Sequence, residues 1–166
     1  TGSMEPTECS PGTVQPNGGQ GSCVKCDAGK FMNESGATTC FDCPAGSYCE
    51  PGSSAPLPCK AGAFGNANNL RAGEECLPCP LGHFCVSGAV QPEPCPAGTY
   101  GASQGLGSAQ CSGPCAKGHY CPANSTSSKQ QPCPPGTMNS GFFGTDVDAC
   151  LPCGKGAFCE VGAVEP

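Results

Sequence analysis

Cys43-Pro44-Ala45-Gly46-Ser47-Tyr48-Cys49 and, a little further on, Cys59-Lys60-Ala61-Gly62-Ala63-Phe64 share one pattern: a cysteine, glycine three residues later, an aromatic two residues after that. The pattern runs outward in both directions. Upstream are Cys26-Asp-Ala-Gly29-Lys-Phe31 and the degenerate Cys9, Gly12, Val14. Downstream follow Cys79-Pro-Leu-Gly82-His-Phe84, Cys95-Pro-Ala-Gly98-Thr-Tyr100, Cys115-Ala-Lys-Gly118-His-Tyr120 and Cys153-Gly-Lys-Gly156-Ala-Phe158, with a second degenerate start at Cys133, Gly136 and Met138. Glycine holds its place at all nine starts and an aromatic at seven, so the unit is the architecture. A glycine held this strictly predicts positive φ in a turn or bulge. The aromatic after it is expected to lie over the neighbouring disulfide as a miniature core.

Composition explains why such units need cross-links. Of 166 residues, 18 are Cys, 26 Gly and 19 Pro, while Leu, Val and Phe together number 20 and Ile is absent. At about 12%, those large apolar residues fall short of the roughly 20% below which a chain reads as disordered, whereas about 11% Cys marks a disulfide scaffold. The cysteines therefore carry the folding, and the expected fold is a series of small disulfide-rich repeats, an elongated rod of short β-hairpins and turns with little or no helix. Pro and Gly recur too often for ordinary helices.

The cysteines divide the units into two kinds. Long ones close after a loop: Cys9 to Cys23, Cys26 to Cys40, Cys59 to Cys76, Cys95 to Cys111, Cys133 to Cys150. Short ones carry a cysteine directly after the aromatic: Cys49, Cys85, Cys121 and Cys159. Taking a long and a short unit together gives the expected divisions 1–25, 26–58, 59–94, 95–132 and 133–166, the first partial and the last truncated. Two pairings fit. Each start can bond the next cysteine, which leaves none over and adds the small loops Cys43–Cys49, Cys79–Cys85, Cys115–Cys121 and Cys153–Cys159. Alternatively, groups of four interlock, Cys43–Cys59 with Cys49–Cys76, which strands Cys153 and Cys159. Spacing alone does not choose.

Zinc is the competing chemistry for the same residues. Cys23-x2-Cys26 followed by Cys40-x2-Cys43 approaches a four-thiolate spacing, and Cys76-x2-Cys79 and Cys150-x2-Cys153 extend it. The spacing changes at Cys111-x3-Cys115, and the short-loop cysteines have no place in such a site. The expectation is disulfides, with no metal and no cofactor. Two sequons, Asn33-Glu-Ser35 and Asn124-Ser-Thr126, lie between cysteines and make Asn33 and Asn124 candidate glycosylation sites, in keeping with an oxidising, extracellular or cell-surface setting.

Nothing converges into an active site. His83 and His119 occupy one turn position in two short units, where Ser47 and Ala157 stand in the others. A Cys–His nucleophile would need a free thiol. Glu74-Glu75 and Asp146/Asp148 read as soluble loops, the Asp-x-Asp pair lacking the further ligands of a calcium loop. The segments 53–58 and 125–128 read as surface loops with O-glycosylation or hydroxyproline as the functional alternative. The pair Phe142-Phe143 lies off the repeat and is the best candidate contact patch. With a formal charge of −6 and only seven Lys and Arg, there is no phosphate-binding surface, so no nucleic-acid partner is expected. No stretch approaches a membrane span. No signal peptide is visible, so a secreted chain is expected to be a processed product or a piece of a longer one. Cys159-Glu-Val-Gly-Ala-Val-Glu-Pro166 repeats Cys85-Val-Ser-Gly-Ala-Val-Gln-Pro92, and the parent is expected to continue.

The unit Cys-Pro-Ala-Gly-Thr/Ser-Tyr resembles the ephrin-receptor-like (GCC2/GCC3) cysteine-rich repeat, related to tumour-necrosis-factor-receptor-type modules, from Cys9 to Cys159. The variant Cys-Pro-x-Gly-x-Tyr-Cys followed by a Pro-rich stretch resembles protist and algal surface or mastigoneme-type proteins. The resemblance implies a non-enzymatic role: a structural or adhesive stalk segment of an extracellular assembly, with other extracellular proteins, copies of itself or glycans as partners. The alternative it implies is a receptor-type ectodomain that binds a protein ligand. It assigns no ligand-binding residue to any position here.

Overall fold

The computed structural model describes residues 5–166; the opening residues 1–4 lie outside the described residues. Eight two-stranded antiparallel sheets follow one another, and the described residues contain no helix longer than two three-residue 3-10 turns, Gly73–Glu75 and Val147–Ala149. The chain is a nearly helix-free series of small disulfide-rich β-hairpins.

Each hairpin is built from the same parts. Its first strand is the aromatic of the Cys-x-x-Gly-x-aromatic unit with the residue before it; its second is the two residues ahead of the next start cysteine. Ser47–Tyr48 thus pairs with Leu57–Pro58, and His119–Tyr120 with Gln131–Pro132. Pro ends the second strand in six of the eight hairpins. A two-residue strand is all edge, and proline withdraws an N–H that would template another strand.

A backbone ladder joins successive units. Between the units of Cys9 and Cys26, the Cys26 N–H donates to Gly12 O (2.9 Å) and the Gly12 N–H to Met32 O (2.7 Å). The Gly36 N–H donates to Cys9 O (2.9 Å) and the Gln15 N–H to Ala37 O (3.0 Å). The four bonds recur between the units of Cys133 and Cys153, where the Cys153 and Gly136 N–H groups reach Gly136 O and Cys159 O, and those of Gly162 and Asn139 reach Cys133 O and Ala163 O. Short strands leave many peptide groups without sheet partners, and this ladder satisfies them.

The unit glycine is required twice over. Gly46 has φ 82°, and a Cβ there would collide with the carbonyl of Gly88, two units on. At Gly29 the same methyl would lie 2.6 Å from Asn69 O. The covering carbonyl belongs to a second row of left-handed residues, one per loop. Gly19, Gly36, Gly52, Gly88, Gly105 and Gly162 fill it in six loops, Asn69, Asn124 and Phe143 in three.

The core is cystine, not aromatic as the unit pattern had led us to expect. Cys43, Cys49, Cys59, Cys79, Cys95, Cys115, Cys121 and Cys133 are fully buried, whereas Phe31, Tyr48, Phe64, Tyr100 and Tyr120 are half-buried and only Phe84 is buried. An aromatic on a two-residue strand has one face covered and the other open. Among the described residues a conventional apolar cluster joins Val14, Cys26 and Met32.

By its contacts the chain divides into two units. The first runs through Lys60 and adds Phe64–Leu77 and Gly88–Gln91; the second comprises Ala61–Ala63, Pro78–Ser87 and Pro92–Pro166. Each contains the same ladder.

Candidate functional site

The chemistry-bearing residues of this chain are its cysteines, and all eighteen are paired. The bridges are Cys9–Cys23, Cys26–Cys40, Cys43–Cys49, Cys59–Cys76, Cys79–Cys85, Cys95–Cys111, Cys115–Cys121, Cys133–Cys150 and Cys153–Cys159. Of the two pairings the sequence allows, the structure has the sequential one. Cα–Cα distances run from 5.6 to 6.2 Å, within the range a disulfide spans. Long loops separate their cysteines by 14 to 17 residues and short ones by 6. The extra residue between Cys111 and Cys115 is absorbed in a local turn, with Cys111 itself left-handed at φ 51° and Gly113 at φ 134°. The thiolates that a zinc spacing would need are consumed in these bonds.

This density of disulfides places the chain in an oxidising, secreted or extracellular setting. Among the described residues, no helix is long and apolar enough to cross a membrane.

The two sequon asparagines are both exposed, yet they differ. Asn33 precedes its turn. Asn124 occupies the left-handed row at φ 67°, its N–H donates to Cys95 O (3.0 Å), and its side chain folds against Gly82. The neighbouring Ser125 is buried at 3%, its hydroxyl donating to Pro122 O (2.5 Å). Asn124 is therefore part of the packing as well as part of a sequon. In segment 125–128 only Thr126 and Ser127 are exposed. In segment 53–58 Ser53 bridges to Phe31, and Leu57–Pro58 is strand.

The other candidates find local partners. His83 Nδ1 donates to Leu81 O (2.9 Å) and His119 Nδ1 to Lys117 O (3.0 Å), each within its own turn. Asp146 caps the 3-10 turn Val147–Ala149 by accepting from the Asp148 N–H (3.0 Å). Glu75 accepts from the Arg71 N–H (2.7 Å) in the corresponding loop of an earlier unit. These carboxylates organise loops. No three His, Cys, Asp or Glu gather as metal ligands among the described residues.

One carboxylate has a shifted titration. Asp42 accepts from the Asn69 amide (2.8 Å) and lies 3.5 Å from Lys30 Nζ across its own hairpin. The Asn69 hydrogen bond, and then the lysine charge, hold its carboxyl below the ordinary value.

Two of the concavities involve residues of the repeat strands. The first, about 290 Å³, is lined by Tyr48, Pro58, Lys60, Gly73, Glu74 and Cys76. The second, about 310 Å³, is lined by Thr99, Ala109, Gln110, Gly113, Pro114 and Phe143. Both are at the small end for ligand sites, and neither gathers the acid, base and nucleophile that turnover requires. Phe143 and its neighbour Phe142 are 58% and 57% exposed, with Lys117 Nζ over the Phe142 ring at 5.2 Å.

Sequence reasoning missed the second left-handed row. The signal for it is an offset. The row lies four residues after the residue that follows the aromatic in long units, and three in short ones.

No family model matches the chain, and no curated protein matches it.

Proposed function

We propose that this segment is a structural or adhesive stalk, part of an extracellular or cell-surface assembly, and that it is not an enzyme. The observation that carries the reading is the ladder. Four backbone bonds join each unit to the next and one cystine closes each unit, so the chain spends its hydrogen bonds and its thiols on mechanical continuity. The exposed loops, with Asn33 and Asn124 as candidate glycan acceptors, are the surfaces through which neighbours would be met. The resemblance to ephrin-receptor-like repeats and to mastigoneme-type surface proteins belongs to this reading.

Electron microscopy of native material under non-reducing conditions tests it. Regular fibres or extracellular filaments labelled by an antibody to this segment are the expected outcome. Single particles that never associate with any structure overturn it.

A receptor-type ectodomain is the second reading, favoured by the exposed pair Phe142 and Phe143 beside Lys117, because aromatic and cationic side chains anchor protein contacts.

A further inference from the structure

The sequential pairing sorts the chain into loops closed by a bridge and connectors that run between bridges. A cut inside a closed loop leaves its two sides joined through the cystine, whereas a cut in a connector severs the chain. Most connectors are as short as Val24-Lys25, and the longer ones are 50–58, 86–94 and 122–132. The chain has seven Lys and Arg. Lys30, Lys60, Arg71, Lys117 and Lys155 stand inside closed loops, and only Lys25 and Lys129 stand in connectors.

The two connector lysines are held differently. Lys25 ends a strand paired with Thr13, and the bond after it leads to Cys26, which is 1% exposed and whose N–H donates to Gly12 O (2.9 Å). That peptide bond is part of the ladder. Lys129 lies in a turn of the 122–132 connector, and both it and Gln130 are exposed. Neither the Lys129 carbonyl nor the Gln130 N–H makes a backbone hydrogen bond among the described residues. The Lys129 N–H donates to Ser127 Oγ (3.2 Å), and Gln130 Oε1 accepts from the Thr126 N–H (3.2 Å), so side chains of the turn itself close it. The nearest anchors are Ser128 O, which accepts from the Ala116 N–H (2.8 Å), and Gln131, paired with Tyr120. No proline stiffens the connector between Pro122 and Pro132. Proteolysis concentrates where the backbone around a bond is exposed and few hydrogen bonds must open first.

We propose that the Lys129–Gln130 bond is a release site, where an endoprotease of trypsin-type specificity severs the chain. Such a protease holds a carboxylate in its specificity pocket, which takes the lysine ammonium. Water is the co-reactant. The bond from the Lys129 carbonyl carbon to the Gln130 nitrogen breaks, hydroxyl from water completes the Lys129 carboxyl, and the remaining hydrogen goes to the new Gln130 amine. The two sides are then held only by the ladder. Its bonds include the Gly118 N–H to Asn139 O (2.7 Å), the Cys121 N–H to Gly144 O (2.8 Å) and the Cys133 N–H to Gly118 O (2.9 Å). One cut at Lys129 thus turns a covalent connection into a hydrogen-bonded one, while nicks at the five loop sites leave the chain in one piece. The inference goes beyond the structural reading above and does not rest on it, since a stalk and a receptor ectodomain can both be released in this way.

The test is dilute trypsin on the refolded, oxidised chain, which carries no glycan, followed by denaturing electrophoresis without reductant and mass mapping. The first separated fragments are expected to be 1–129 and 130–166, with cuts inside closed loops separating pieces only after reduction. Lys129→Gln should lose these two fragments, and Lys25→Gln should leave them unchanged. A thiol titration in denaturant that finds no free cysteine shows that both variants carry their bridges. In native material, mass mapping with a protease of different specificity should find an amino terminus at Gln130. A refolded chain that stays whole without reductant, one that separates first at Lys25, or a Lys129→Gln chain that separates as fast as wild type overturns the release site. So does native material in which 122–132 is continuous in every copy. None of these outcomes bears on the stalk reading, which is judged on native filaments.

Discussion

The unit of Cys43 and the unit of Cys59 make the same hairpin with different staples. In the first, a bridge of separation 6 ties the start cysteine to the residue just after the aromatic, and both Cys43 and Cys49 are fully buried. In the second, separation 17 carries the bridge round the loop to Cys76, which is half-buried, and Gly65 takes the position that Cys49 holds. A methyl on Gly65 would lie 3.1 Å from Cys59 Sγ and 3.3 Å from Gly46 N, so a larger residue there needs its neighbours to give way. Yet both start cysteines donate to the preceding glycine carbonyl, and Gly46 and Asn69 keep their ladder bonds. The hairpin is thus specified by glycine and ladder, and the disulfide can be routed in either of two ways.

Removing each bridge tests this, with the largest expected effect. The loop term for Cys59–Cys76 is about 3.2 kcal/mol and that for Cys43–Cys49 about 2.4 kcal/mol, so loop entropy alone makes the long bridge the more valuable. Burial reverses the order. Cys43→Ser with Cys49→Ser leaves two hydroxyls in fully buried sites, while Cys59→Ser with Cys76→Ser leaves one, and an unsatisfied buried hydroxyl costs about 1–3 kcal/mol. The short-bridge pair should be the less stable by about 1 kcal/mol in denaturant unfolding under oxidising conditions. A long-bridge pair that is clearly the weaker would show that loop entropy governs. The same difference predicts the order of reduction. Limited reductant with alkylation and mass mapping should label Cys23, Cys40, Cys76 and Cys111 before Cys49, Cys85 and Cys121, because attack needs access.

The glycine half of the comparison gives a smaller effect. Gly46→Ala adds a methyl at φ 82° directly against Gly88 O. A cost of about 2 kcal/mol is expected, from the left-handed penalty and the displaced carbonyl. Gly154, where a Cβ meets nothing and φ is not left-handed, should tolerate Ala with little change.

Phe143 inverts that logic. It holds φ 64° in a row otherwise filled by Gly or Asn, and a bulky residue there is strained. Phe143→Gly should stabilise the fold by about 1 kcal/mol, read as a rise in denaturation midpoint. No gain would mean that the ring's contacts with the concavity beside Gly113 and Pro114 offset the strain.

Much of this fold was legible in the sequence because cysteine, glycine and aromatic recur at fixed offsets from the start. Gly12 through Gly156 all have the positive φ that their strict spacing predicts. The second left-handed row was not legible in the same way. Asn69, Asn124 and Phe143 hide it from a search for glycine, and the short-unit bridge moves it by one residue. The covering of Gly46 by Gly88 O joins residues two units apart, which no local pattern reports. The aromatic core was overestimated because a spacing rule says where a ring is attached and not how much of a two-residue strand it can cover. The cysteine partners lay between two schemes for a related reason: both place bonded residues at loop distances, and the choice depends on which sulfurs the hairpin turns inward.

The smallest effect lies across the strands themselves. Where the Cys43 unit pairs Ser47 with Pro58, the Cys26 unit pairs Lys30 with Asp42, and Asn69 adds its amide to the same carboxylate. Asp42 is held below its ordinary value of 3.8 by that amide and by Lys30. A carboxyl whose folded pKa is depressed contributes stability that is present above the unfolded value and is lost as pH falls through the folded one. Wild type should therefore lose stability relative to Asp42→Asn as pH drops from about 5 towards 2, and the two should run parallel above about pH 5. Because the pair is exposed, the difference should be slight and should shrink further in salt. Asn69→Gly separates the two causes. It keeps the left-handed backbone and its N–H to Cys43 O while removing the amide that contributes most to the shift, so it should erase most of the acid dependence. If instead Lys30→Met erases it and Asn69→Gly does not, the cross-strand charge is the cause.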